Sequence, residues 1–131
     1  ERLGDDVYRR AYAYRPQSDI GILTNLWGTA PLHEWITMRR QQERTAAWRM
    51  TRLVLQVHDA LVVCAPPETV YEVATQMRAL LERPHLYGGV ELTIPVELGV
   101  SGSWAKGKEW KIFPGREEME EVARGYCATS T

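Results

Sequence analysis

The segment that decides the fold is residues 52–65, which read RLVLQVHDALVVCA. Two short apolar runs flank the polar pair His58-Asp59. Runs of this length, rich in valine and leucine, are typical of β-strands, and the polar residues between them indicate a hairpin. Both faces of each strand are largely apolar, so we expect the hairpin to be covered on both sides, with Cys64 as a small core residue.

The flanking segments predict two helices. We expect residues 7–49 to be mainly helical, with a kink or break where Gly28 and Pro31 interrupt the pattern. Residues 67–82 carry apolar side chains at every third or fourth position, which is typical of a helix that buries one face. The apolar face expected for the first helix consists of Ile20, Leu23, Trp27, Trp35 and Met38.

One further strand completes the predicted fold. Residues 90–98 alternate apolar and polar side chains, and Pro95 places this strand at a sheet edge or a bulge. The sequence therefore predicts an α+β fold, in which a small antiparallel sheet, made of the hairpin and this C-terminal strand, packs against helices. We divide the chain into a folded segment, 1–105, and a tail, 106–131, in which residues 117–124 predict a short helix.

The composition is that of an ordinary folded domain. Of 131 residues, 44% are hydrophobic and 25% are charged, with a net charge of −1. No apolar run approaches the ~20 residues that a membrane-spanning helix needs, so we expect no membrane partner. Two cysteines are too few for a disulfide framework. They fit a reducing environment, and we expect a cytoplasmic protein.

Positive charge is concentrated in one part of the chain. Residues 39–52 contain five arginines opposed only by Glu43. Two interpretations stay open: a helix face that is simply solvated, or a surface that contacts phosphate groups. The arginines are Arg39, Arg40, Arg44, Arg49 and Arg52.

The His58-Asp59 pair is the candidate for chemistry. A His-Asp pair in a turn is common, and alone it indicates only a structural role. Its position between two apolar strands changes the interpretation, because a carboxylate in apolar surroundings costs free energy unless something compensates it. A divalent cation would do so, and Mg²⁺ binds carboxylate and phosphate oxygens.

The same stretch carries a resemblance to a known family. Residues 56–62, QVHDALV, are similar to motif C of the family A DNA polymerases, the bacterial DNA polymerase I family and its phage relatives. That motif typically reads Q-V-H-D-E-L followed by an apolar residue.

Other segments follow in the family's order. Residues 9–18, RRAYAYRPQS, resemble the segment before the long palm helix, in a phage-like form. The predicted helix 67–82 and strand 90–98 come next. Residues 102–104, Gly-Ser-Trp, then resemble the closing Gly-x-Asn-Trp. The resemblance covers roughly residues 7–105, which would form the C-terminal part of a polymerase palm.

The resemblance implies template-dependent nucleotidyl transfer to a primer 3′-hydroxyl, with two Mg²⁺ ions about 4 Å apart. Asp59 matches the motif C aspartate and would be a metal ligand. His58 matches a residue that supports the primer terminus. Arg9 and Gln17 match positions that contact primer–template DNA, along the minor groove where acceptors hardly depend on sequence. The implied partners are primer–template DNA and deoxynucleoside triphosphates.

This chain also departs from the family. Ala60 stands in place of the usual Glu, Ala13 in place of an Asn, and Ser103 in place of the Asn before the tryptophan. The second catalytic aspartate, in motif A, and the triphosphate-binding residues of motif B have no counterpart here. We therefore expect the chain to need further polymerase segments or a second polymerase chain.

Three functional hypotheses remain. The first is a polymerase part that supplies Asp59. The second is a degenerate palm module that binds DNA or acts as a scaffold without catalysis, which Ala60 favours. The third is an unrelated α+β domain with a chance His-Asp turn. Because the chain opens on Glu1 without start-like character, we expect a piece of a longer, split or processed protein, in the host cytoplasm if phage-encoded.

Overall fold

The structure is a computed structural model and describes residues 20–103, 111–112 and 116–129. It opens on a continuous helix. Residues 20–23 are α-helical, Thr24–Thr29 form a π-helical turn, and Ala30–Glu43 continue as helix α1. The interruption expected near Gly28 is thus a π turn within the helix and not a break.

Helix α1 ends at a left-handed residue. Arg44 has φ of 52°, and Thr45 then caps helix α2, Ala46–Met50, by accepting a hydrogen bond from the Trp48 backbone N–H at 3.3 Å. Trp48 is buried and meets the Trp35 ring edge-on, with centroids 5.5 Å apart. The expected helix over 7–49 therefore has its break at this point, and its first residues, 7–19, lie outside the described part of the chain.

The buried face of the first helix differs from the expected one. Ile20 and Met38 are exposed, at 38% and 44%. A π turn holds more residues than the 3.6 of an α turn, so it shifts the phase of a stripe read at α-helical spacing. The residues that are buried recur every four positions: Thr24, Gly28, Leu32 and Ile36.

The hairpin is confirmed. Strand β1, Arg52–Val57, pairs antiparallel with β2, Ala60–Cys64, and the register shifts between Leu53 and Leu55. The inner face packs on the helices: Leu53, Leu61 and Val63 contact the cluster of Leu32, Ile36 and Leu80.

The outer face of the hairpin is not covered, contrary to the expectation from sequence. Val54 is 61% exposed, Leu55 is 39% exposed, and Cys64 is exposed as well. Cys64 is therefore not a core residue. Apolar composition on both faces predicted burial on both, but among the described residues only one face has helices against it.

Helix α3, Pro67–Leu81, follows the hairpin as predicted. Proline is favourable in its first turn, where the missing N–H has no intrahelical partner, and Glu68 suits the positive end of the helix dipole. Its start is tied to the residue that precedes β1, because the buried hydroxyl oxygens of Thr51 and Thr69 lie 2.8 Å apart.

The C-terminal part contains short strands. Strands β3, His85–Tyr87, and β4, Val90–Leu92, form a second hairpin, and β5, Gly99–Val100, pairs with β6, Lys111–Ile112. Helix α4, Arg116–Thr129, confirms the helix expected in the tail.

The fold is α+β, with small antiparallel sheets and helices, as predicted. The composition of the sheet is different, however. The predicted strand 90–98 is a strand only at Val90–Leu92, and it pairs with β3 and not with the β1–β2 hairpin. Residues 93–98 alternate apolar and polar side chains but do not form a strand. Leu98 packs in the core and does not extend the hydrogen-bonded pairing of β4.

Two apolar clusters share helix α3. One side of α3 joins the first helix and the hairpin through Leu80 and Met77. The other side carries Ala74, which packs with Leu98 and with Met119 of helix α4. The tail helix therefore belongs to the same packed body as the hairpin. In the part of the chain that the structure describes, no helix is both long enough and apolar enough to cross a membrane.

Candidate active site at the first hairpin

The His58-Asp59 turn joins β1 to β2 with two residues. His58 has φ of 54°, in the left-handed region, where a side chain with a Cβ is strained. Two-residue hairpin loops require positive φ at their first position, and glycine or asparagine usually meets that requirement. Backbone strain of this kind is found preferentially at functional sites.

Both turn side chains are exposed to solvent. Neither His58 nor Asp59 makes a side-chain hydrogen bond or an ion pair with any residue that the structure describes. The expectation that apolar surroundings make the Asp59 carboxylate costly is therefore wrong. The strands end at Val57 and Ala60, and the turn projects beyond them into water, where an ionised carboxylate has no desolvation cost.

The exposure of Asp59 leaves it free to bind a ligand. Among the described residues, no group of three or more His, Cys, Asp or Glu side chains is arranged to hold a metal ion. Asp59 offers one carboxylate, which fits one position in the oxygen shell of Mg²⁺ and leaves the others to phosphate oxygens, water and a second carboxylate. At the hairpin tip the described residues thus offer one carboxylate and not a complete metal site.

The base of the turn is held by the first helix. Gln56 and Leu61 are cross-strand partners one step below the Val57–Ala60 pair. Thr29 Oγ1 donates a hydrogen bond to Gln56 Oε1 at 2.6 Å. Thr29 is not predictable as a site residue from sequence, because a threonine next to a glycine in a helix carries no pattern that indicates a distant partner.

Gly28 allows this close approach. A Cβ at Gly28 would lie 2.5 Å from Leu81 Cδ2 and 3.2 Å from Leu61 Cδ1. The first distance is shorter than a real Cβ contact, so any side chain at residue 28 would have to displace the end of the Leu81 side chain. Gly28, noted from sequence as an interruption, is a packing residue.

The arginine-rich segment divides into two parts. The Arg39 side chain makes contacts within the fold. Its guanidinium pairs with Glu43 at 3.0 Å and with Glu72 at 2.7 Å, and it lies over the Trp48 ring. The other arginines make no ion pair with the described residues, so phosphate contact stays a prediction for Arg40, Arg44, Arg49 and Arg52.

Several expected site residues are not placed by the structure. Arg9 and Gln17, the predicted DNA contacts, lie outside the described residues, as does Trp104 of the Gly-Ser-Trp segment. The described residues bring together His58, Asp59 and Ala60, with Gln56 directly below them. Comparison with protein-family models, with curated proteins and with solved structures finds no match to this chain.

Proposed function

We propose that this chain is the C-terminal palm segment of a DNA-directed DNA polymerase that resembles family A. The observation that carries the proposal is the QVHD stretch, whose His58-Asp59 pair forms a strained, solvent-exposed two-residue turn. A turn made only for folding would favour glycine or asparagine at this position. A carboxylate that pairs with no described residue, beside an imidazole at a hairpin tip, suits a group that meets a ligand from outside the chain.

Asp59 is the proposed metal ligand and His58 the proposed support for the primer terminus. Bound Mg²⁺ would polarise phosphate oxygens of the nucleotide and neutralise their charge. The hairpin's role is to hold the Asp59 carboxylate at the end of a short, packed element, so that its position is set by β1 and β2 and not by a mobile loop. The His58 imidazole, next to it, has free donor and acceptor atoms for the nucleic acid.

The remaining parts of the site come from elsewhere. The second carboxylate and the groups that bind the triphosphate belong to other polymerase segments or to a partner chain. Together with this chain they form what we call the complete enzyme. Its partners are primer–template DNA and deoxynucleoside triphosphates, and the proposed duplex contacts of this chain are Arg9 and Gln17.

A second candidate is a palm module that binds DNA without catalysis. Ala60 favours it, because this residue stands directly after Asp59 where the family has Glu, and it is exposed at the start of β2. Loss of that carboxylate would reduce the negative charge available to a cation. The two candidates differ in whether Asp59 is needed for chemistry.

Replacing Asp59 by Asn tests the proposal in the complete enzyme. The substitution keeps size and removes the charge, so we expect single-turnover nucleotide incorporation to fall at least ~10³-fold, equivalent to about 4 kcal/mol of transition-state stabilisation. DNA affinity should persist, because backbone and groove contacts come from other residues. Since Asp59 is exposed, the free energy of unfolding should change by less than about 0.5 kcal/mol.

The matched control is Glu91→Gln, which makes the same carboxylate-to-amide change on an exposed residue of the second hairpin. It should leave incorporation unchanged. If Asp59→Asn incorporates nucleotide at near the wild-type rate, the hairpin is not a catalytic motif C. If the wild-type and Asp59→Asn proteins both bind DNA and neither incorporates nucleotide, the result would favour the non-catalytic module.

A further inference from the structure

We infer that Thr29 is a positioning residue, which fixes the His58-Asp59 turn through Gln56. The contact is a hydrogen bond from Thr29 Oγ1 to Gln56 Oε1 at 2.6 Å, between residues 27 positions apart in sequence. Both residues are half-buried. The importance of this contact for catalysis rests on the proposed function, but the positioning itself is a property of the fold.

Two consecutive helix residues contact one cross-strand residue pair, or rung, of the hairpin. Gln56 and Leu61 face each other across the strands, and only the Val57–Ala60 pair separates them from the turn. Thr29 bonds to Gln56, and Gly28 lies against Leu61 and Leu81. The helix therefore holds both members of this pair, which is the pair closest to the tip whose side chains face the helix.

Both helix residues that meet this pair lie in the π turn, as its last two residues. Single π turns within α-helices occur frequently at functional sites.

The turn depends on this attachment more than a turn in a larger sheet would. Within the described residues, β1 and β2 form a sheet of two strands with no third strand beside them. An isolated two-stranded hairpin is only marginally stable in water. The side chains of His58 and Asp59 do not tie the tip to any described residue, so its position follows from the Gln56–Leu61 rung.

Amide hydrogen exchange on the full 131-residue chain tests the inference. Thr29→Val keeps the shape of the side chain and removes the donor. We expect the hydrogen-bonded amides of residues 56–61 to exchange about threefold to tenfold faster, while those of α3 change less than twofold, on the order expected for one lost hydrogen bond. Thr29→Ser retains the hydroxyl and should restore slow exchange in 56–61.

Thr37→Val is the matched control. Thr37 lies on the same helix, and its hydroxyl donates to the His33 carbonyl on an exposed face, so this substitution should leave the hairpin amides as in the wild type. Equal acceleration in the hairpin and α3 after Thr29→Val would show a general stabilising residue and overturn the inference. Unchanged hairpin exchange, or failure of Thr29→Ser to restore it, would overturn it as well.

The hydrogen-exchange test of Thr29 does not depend on whether the proposed polymerase function is correct. The exchange measurement contains no DNA, nucleotide or metal, so it reports on Thr29 even if Asp59→Asn proves to be active. Conversely, an inactive Asp59→Asn enzyme with unchanged exchange in Thr29→Val would retain the proposed function and reject the positioning role.

Discussion

Both two-residue hairpin turns have a positive φ at their first residue, but that residue differs between them. In the second hairpin, between β3 and β4, the two turn residues are Gly88 and Gly89, with φ of 55° and 82°. In the first, the residue with φ of 54° is His58. Glycine adopts this region without steric cost, whereas a residue with a Cβ is destabilised by roughly 1–2 kcal/mol. The chain therefore has a low-strain turn in one hairpin and a strained one in the other.

The hairpins also differ in how they are supported. The first packs Leu53, Leu61 and Val63 on the helices, whereas in the second Leu86 is 76% exposed and Val90 is 59% exposed. The strained turn thus lies on the hairpin that packs into the core. The relaxed turn lies on a largely exposed hairpin, which meets the first helix through the His85 and Trp27 rings, with centroids 6.0 Å apart. Anchoring supplies the free energy that a strained turn requires, and strain at an anchored site favours a functional role for its residues.

The largest expected difference between the hairpins is in side-chain packing. Leu61→Ala removes contacts with the Leu32 cluster and should lower the free energy of unfolding by about 2–3 kcal/mol. Leu86→Ala in the second hairpin should change it by less than about 0.5 kcal/mol, because the side chain is mostly in water. Urea unfolding followed by circular dichroism measures both. Similar losses in the two variants would remove the distinction between a packed and a largely exposed hairpin.

A smaller effect is expected where the helix meets the first hairpin. Gly28→Ala places a methyl group 2.5 Å from Leu81 Cδ2, and overpacking should outweigh the gain in helix propensity, for a net loss of about 1–2 kcal/mol. Gly21→Ala is the control, because a Cβ there meets no atom within 4 Å. It should stabilise the chain by up to ~1 kcal/mol. Thermal unfolding of the two variants in parallel distinguishes them, and stabilisation by both would show that Gly28 is not a packing residue.

The relaxed turn should be sensitive to a side chain. Gly88→Ala introduces a Cβ at φ of 55° with no neighbour within 4 Å, so the cost is conformational and should be about 1 kcal/mol. Differential scanning calorimetry gives the change. A neutral or stabilising result would mean that positive φ is not costly in these hairpins, and the φ of His58 would then not indicate a functional role.

The sequence predicted the elements better than their contacts. The hairpin, helix α3 and the tail helix follow from local patterns of apolar residues and prolines, which the structure retains. The buried face of the first helix did not follow, because the π turn at 24–29 changes its phase and no local pattern marks a π turn. The pairing of β4 with β3 goes through the Gly88-Gly89 turn, a hairpin signal that the alternation in 90–98 alone does not reveal.

For the candidate site, the sequence located the His58-Asp59 turn but not its environment. Burial of Asp59 was inferred from apolar neighbours in the strands, yet a two-residue loop extends past the last strand pair and is wetted by solvent. The Thr29–Gln56 bond joins residues that only the packed fold brings together. Contacts of this kind depend on how elements pack, and a single sequence does not contain that information in a local pattern.

We propose that the strained turn serves chemistry and not folding, and the His58→Gly variant separates these two roles. Relief of strain, reduced by the entropy that glycine loses on folding, should raise the free energy of unfolding of the chain by about 0.5 kcal/mol. In the complete enzyme, the same variant should incorporate nucleotide at least ~10-fold more slowly, because it lacks the imidazole that we propose supports the primer terminus. Higher stability with lower activity is the predicted result. A His58→Gly enzyme with wild-type incorporation would contradict the account, since the strain would then have no function to explain it.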